Sequence, residues 1–152
     1  MIGLVEMREE TMNWNMRMSR WLLCLFLSGC AGGLSLVGEV EKQDIWVAGE
    51  GGYHTYRIPS LIETSNGSLL AFCEGRKGGR SDAGDIDLLL KRSIDGGRTW
   101  GRSTVLWDDG ANTCGNPCPV VDQATGIVWL LLTHNLGEDH ESAIVEGTGK
   151  GS

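Results

Sequence analysis

At 152 residues, 41% hydrophobic and 22% charged, the chain has the make-up of an ordinary globular protein, which excludes disordered, collagen-like and multi-span membrane classes. Its net charge of −7 argues against a nucleic-acid partner, because no basic face is left to neutralise phosphates. Twenty-three Gly against three Pro, together with six Trp, point to tight turns between short aromatic-anchored strands, and so to an all-β fold.

In chain order, residues 1–30 read as a leader. Trp21 to Leu27 is an uncharged apolar run preceded by Arg17 and Arg20 and followed by small residues, the layout of an export signal. It is too short for a membrane-spanning helix, which needs roughly 20 apolar residues. The run ends in Leu27-Ser28-Gly29-Cys30 and resembles the lipobox of bacterial lipoproteins, which makes Cys30 the candidate lipidation site and membrane attachment through a lipid the implied anchoring. An ordinary cleaved signal near Gly29 is the plainer alternative. Glu6, Glu9 and Glu10 ahead of the positive region are unusual for a signal and suggest a start at Met16 or Met18. Residues 31–43 follow as a linker, and residues 44–152 form the folded part of an exported, acidic, Gly-rich domain. Its cysteines, Cys73, Cys114 and Cys118, allow at most one disulfide. The Cys114-x3-Cys118 spacing lacks the layout of a structural zinc site, so each reads as a small buried hydrophobe.

Tyr56 to Glu63 predicts a strand, Thr64 to Gly67 a turn whose Asn-Gly pair favours a hairpin, and Ser68 to Glu74 the returning strand. A Gly/Arg-rich loop occupies 75–84. Asp85 to Ser93 is the third strand, 95–98 a turn and Trp100 to Leu106 the fourth. After a polar loop, 108–115, the strands Asn116 to Val121 and Ile127 to Asn135, joined by a turn at 122–126, start the pattern again. No segment after the leader has a convincing helical period. A four-strand meander that repeats is the mark of a β-propeller.

Ser93-Ile94-Asp95-Gly96-Gly97-Arg98-Thr99-Trp100 matches the Asp-box, Ser-x-Asp-x-Gly-x-Thr-Trp, which recurs in propellers between the third and fourth strands of a blade. Its physics is local: Asp95 accepts turn amides, Gly97 takes a backbone angle other residues avoid, Ser93 and Thr99 supply hydroxyls, and Trp100 packs the turn down. That reading makes Asp95 structural. Upstream stands Tyr56-Arg57-Ile58-Pro59. Between the two lie Glu74-Gly75-Arg76 and Ser81 to Asp87, and beyond them Cys114-Gly115-Asn116-Pro117-Cys118-Pro119 and Asn135 to Glu138. This ordered set, covering nearly all of residues 44–146, resembles the N-terminal part of the bacterial exo-α-sialidases.

The resemblance implies a six-bladed propeller, of which this chain would supply the first two to three blades at roughly 40 to 50 residues each. It also implies sialylated glycans as partners, retaining glycoside hydrolysis, and no cofactor. Sialic acid bears a carboxylate on its anomeric carbon, which calls for planar fixed cations, and arginine provides them. Arg57 matches the first arginine of the family's triad, Arg76 a further substrate-reaching arginine, Asp82 the acid/base aspartate and Glu141 a substrate-contacting glutamate. Read without the family, Arg57 is a surface arginine of an edge strand, Arg76 a loop arginine paired with Glu74, and Asp82 and Asp85 compete evenly for the acid role. Asp87 reads as a structural cap at the start of its strand. His134, His140 and Glu141 could be imagined as metal ligands, but the implied chemistry needs no metal.

A general acid keeps its proton near working pH, so Asp82 is expected to have a raised pKa. Sialidases attack with a tyrosine rather than a carboxylate. The two tyrosines here, Tyr53 and Tyr56, both lie at or before the first motif and match no nucleophile. The second and third triad arginines have no match either. The chain is therefore expected to be catalytically incomplete by itself. A non-catalytic glycan-binding or scaffold propeller lipoprotein is the alternative reading.

Overall fold

The computed structural model of the chain describes residues 2–8 and 41–151. Cys30 and the apolar run 21–27 lie outside them. The strands are β1 (Ile2–Met7), β2 (Thr55–Glu63), β3 (Leu69–Arg76), β4 (Ile86–Ser93), β5 (Thr104–Trp107), β6 (Thr113–Val121) and β7 (Val128–Asn135), followed by a short helix α1 (Glu141–Val145). β2 to β5 form one antiparallel up-and-down unit, with β3 central and β5 on the far side of β4. β6 and β7 form the next antiparallel hairpin, joined to the first unit by a single parallel bridge between Ile86 and Thr113. This is the strand order of a partial propeller whose sheet stays open at β2.

The elements follow from their residues. β3 and β4 pair without interruption from Leu69–Ser93 to Arg76–Ile86. Both carry apolar residues at successive positions, so both faces are buried. Leu70, Phe72, Leu88 and Leu90 point to the side where Val128, Leu130 and Leu132 of β7 close the core. Burying each such side chain contributes about 1.5–3 kcal/mol. On the opposite face, Tyr53 covers Gly75, where an added Cβ would come within 2.7 Å of its ring. Trp46 stacks on Tyr56 at 6.1 Å, and Lys91 lies over the Trp46 ring. Pro59 cannot donate to a ladder and is tolerated because β2 is an edge strand with a bulge between Arg57 and Ser60.

The turns match expectation in mechanism. Gly67, at φ 82°, closes the hairpin in which the Thr64 amide donates to the Ser68 carbonyl. In the turn Ser93 to Trp100, the Thr99 amide and hydroxyl donate to Asp95 at 2.9 and 2.6 Å. Ser93 Oγ donates to Asp95 at 2.8 Å and accepts the Gly97 amide at 2.9 Å. These donors, Thr99 foremost, hold the Asp95 carboxyl down at about 2.

Several expectations are corrected. The fourth strand begins at Thr104 rather than Trp100: the Gly101 amide reaches the Arg92 carbonyl, but regular pairing with β4 starts only at Thr104 opposite Leu90. β3 runs on to Arg76, which shortens the loop to 77–85. Asp87 is not a strand cap; it is 1% exposed and faces inward. Residues 141–145 form a helical turn that no apolar period announces. Ile2–Met7, within the span read as a leader, pairs antiparallel with β7, and only its last residue, Met7, enters the core. Cys73, Cys114 and Cys118 are free thiols; burial pushes Cys73 up to about 12 and Cys114 to about 11.

Candidate active site

The register of β2 against β3 builds the site. Arg57 stands directly opposite Glu74, and Arg76 lies two residues beyond Glu74, so all three share one face of the sheet. Glu74 and Arg76 are both buried, with Arg76 Nε donating to Glu74 Oε2 at 3.0 Å. The rest of the guanidinium organises the following loop: Nη1 donates to the carbonyls of Arg80 and Ser81, each at 2.8 Å. Gripped there, the loop presents Asp82, whose Oδ1 lies 2.8 Å from Arg76 Nη2 and 3.0 Å from Arg57 Nη1. Arg57, Arg76 and Asp82 therefore meet at one oxygen, whereas Asp85, the competing aspartate, turns away to Lys77.

Asp82 is 66% exposed and is held below the usual carboxylate range, first by the hydrogen bond from Arg76 and then by the charges of Arg76 and Arg57. This reverses the expected raised pKa. Both arginines take ionised Asp82 as their common partner.

Glu74 is the residue whose full role the sequence reading missed. Its second oxygen accepts the Asn116 amide at 2.9 Å, tying β3 to the bulge of β6 across 42 residues of sequence. Gly115 permits this, since a Cβ there would sit 2.4 Å from Glu74 Oε1. Asn116 adopts φ 52° and its side chain donates to Thr133. Ile58, also at φ 52°, is the other non-glycine with a left-handed backbone among the described residues. Both border the same cavity, and strained backbone of this kind concentrates at functional sites. The signal available was the Glu-x-Arg spacing, which in a strand puts both side chains on one face.

The cavity, about 420 Å³, is bordered by Glu74, Arg76, Asp82, Asn116, His134 and Glu141, among others. Glu141 opens α1, borders the cavity and is exposed. His134 stacks on Trp107 at 5.1 Å, and its Nε2 lies 2.8 Å from Asp109. His140 precedes α1 without capping it through its side chain. Neither tyrosine borders the cavity. The Tyr53 hydroxyl donates to Asp87 at 2.6 Å and that of Tyr56 to the Glu50 carbonyl at 2.7 Å, and burial pushes both phenols up. The arrangement can bind a small carboxylate through two guanidinium groups and offers a carboxyl beside it. It offers no activated nucleophile among the described residues of the cavity.

No protein-family model matches the chain. An exo-alpha-sialidase of Aspergillus fumigatus is 40% identical over 91 residues, which are 55% of this chain and 22% of that protein. A sialidase of Micromonospora viridifaciens is 40% identical over 93 residues, 58% of this chain and 14% of the relative. Human sialidase-4 is 39% identical over 101 residues, 63% of this chain and 20% of the relative. Among solved structures, the Hadza microbial sialidase Hz136 superposes with a TM-score of 0.56 at 32% identity, covering 60% of this chain and 20% of that one. The chain spans 14–22% of the length of these proteins.

Proposed function

The chain is related to the sialidases in sequence and in fold, and from that premise we propose that it carries the carboxylate-binding and proton-donating part of an exo-α-sialidase site. The observation that carries the reading is the single oxygen of Asp82 shared by Arg57 and Arg76 at the rim of the cavity. A sialoside entering with its carboxylate toward Arg57 competes with Asp82 for that guanidinium. Once displaced, Asp82 loses part of the charge that keeps it ionised and moves toward the proton affinity a general acid needs. Protonating the leaving oxygen is then the chain's contribution to glycoside cleavage. Attack on the anomeric carbon requires a tyrosine that neither Tyr53 nor Tyr56 supplies, since both hydroxyls are bonded elsewhere.

The 152-residue chain alone should not turn over a fluorogenic sialoside. Activity above that of an Arg57→Ala/Asp82→Ala double variant would show that its own residues suffice and would overturn this division of labour. The occupied tyrosine hydroxyls also favour, as a second reading, a non-catalytic glycan-binding or scaffold propeller. A chain that binds no sialic acid at all would leave only the scaffold. In either reading we propose that the protein is exported, lipid-anchored through Cys30 or secreted after an ordinary signal. Labelled lipid should be incorporated in a bacterial host and lost in Cys30→Ser, and unchanged labelling would leave an ordinary secreted chain. Within this reading the turn Ser93 to Trp100 is an Asp-box that serves the blade and not the chemistry.

A further inference from the structure

The loop that carries Asp82 has a second, buried footing on the side of the sheet away from the arginine site. Arg76, the last residue of β3, faces the cavity, whereas Lys77, the first residue of the loop, reaches Asp87, which stands opposite Gly75 on the reverse face. The Lys77 amide donates to the Asp85 carbonyl at 3.1 Å, closing the base of the loop. Its ammonium lies 2.9 Å from Asp85, 3.1 Å from Asp87 and 3.6 Å from Asp108. Asp87, almost wholly buried in β4, is fixed from its other side by the Tyr53 hydroxyl. The three carboxylates bring oxygens within 4.8 Å of one another, and the cation among them is the Lys77 ammonium.

The loop needs such a footing. Gly78, Gly79 and Gly84 lie within it, Gly79 and Gly84 at φ 150° and 125°, so its backbone has little stiffness of its own. Asp82 is two-thirds exposed and pairs with the sheet through the two arginines. Arg76 grips the loop from the cavity side at Arg80 and Ser81, and Lys77 grips it from the reverse side at Asp85.

We propose that Lys77 is a positioning residue, which, by pinning the base of the 77–85 loop to buried Asp87, holds Asp82 in register with Arg57 and Arg76. The functional weight of this proposal rests on the reading of Asp82 as the site's proton donor. The groups that face Asp82 are Arg57 from β2 and Arg76 from β3, with Glu74 behind Arg76. Misplacing the loop therefore removes positive charge from Asp82.

The test is a carbon-detected NMR titration of side-chain carboxyls in the full 152-residue chain. Wild-type Asp82 should titrate below the ordinary aspartate value of about 3.9. In Lys77→Met it should rise toward that value, and in Lys77→Arg, which keeps a cation for Asp85 and Asp87, it should stay low. Asp95, whose partners all lie in its own turn, should remain at its low value in every folded variant and serves as the folding control. An unchanged Asp82 in Lys77→Met with Asp95 intact overturns the proposal. If Lys77→Met does not fold, Asp85→Ala decides: it removes the side-chain contact at the loop base while leaving Lys77 on Asp87, and a folded Asp85→Ala with unmoved Asp82 is equally contrary. Failure of the functional reading looks different, because Asp82 would respond to Lys77 while the chain ignored sialic acid.

Discussion

Asp95 and Asp82 are both held below the ordinary aspartate pKa, and they are held in opposite ways. Asp95 takes its donors from the turn it belongs to: Ser93 and Thr99 reach it within four residues of sequence. Asp82 takes its partners from two strands, one of them 25 residues away, and reaches them only because a loop is pinned in place. The first aspartate is engaged through both carboxylate oxygens by groups of its own turn. The second is exposed, shares its partners with any arriving anion, and borders a cavity. A depressed carboxylate pKa therefore marks structure in one region and a candidate site in the other, and what tells them apart is whether the partners can be exchanged.

The largest effect expected from breaking the long-range side comes from Glu74→Ala. It strips a buried guanidinium of its buried partner and also frees the Asn116 amide. Removing one member of a buried pair costs about 3–5 kcal/mol, measurable as a lower urea midpoint. A loss under about 1 kcal/mol would mean that Asp82 alone satisfies Arg76. Ser93→Ala is the matching cut on the local side. The hydroxyl is buried and both gives and accepts within its turn, so about 1–3 kcal/mol should be lost. Its effect should stay in the turn, leaving the Arg57 and Arg76 side-chain resonances unmoved.

How much of this was legible in the sequence follows the same division. The hairpin at Asn66-Gly67 and the turn at Ser93 to Trp100 could be read directly, because every group that makes them lies within a few residues. The meander followed from turn spacing, although β5 starts late, its pairing with β4 beginning only at Thr104 opposite Leu90, which local patterning does not display. The site was legible only through family resemblance. Its residues alone left Asp82 and Asp85 undivided, since the choice depends on Arg76 and Lys77 pointing to opposite sides of a strand end. The direction of the Asp82 shift was misjudged for a related reason: the raised pKa was inferred from the acid role, whereas two arginines from two strands converge on the carboxylate. Glu74's hold on Asn116 and the burial of Asp87 depend on long-range packing that a linear pattern does not display.

A smaller effect sharpens the comparison through pH. The folded-state pKa of Asp95, about 2, lies below the unfolded value of about 3.9. Its contribution is therefore present in full above about pH 4 and is lost as pH falls toward 2. The stability difference between the native chain and Asp95→Asn should be constant from pH 7 to 5 and should shrink between about pH 4 and 2. A difference that persists to pH 2 would assign the turn's strength to its backbone rather than to the carboxylate.

The smallest stability effect is expected of Arg57→Ala, which removes an exposed pair worth about 1 kcal/mol or less, yet this variant bears most directly on the site. The decisive measurement is the Asp82 carboxyl titration in the presence and absence of saturating sialic acid, in the native chain and in Arg57→Ala. If the arginines are a carboxylate site that Asp82 occupies in the absence of ligand, sialic acid should raise the pKa of Asp82 in the native chain. Arg57→Ala should raise it without ligand and blunt any further response. An Asp82 that titrates identically with and without sialic acid, while Arg57 is intact and the chain folded, would contradict the account.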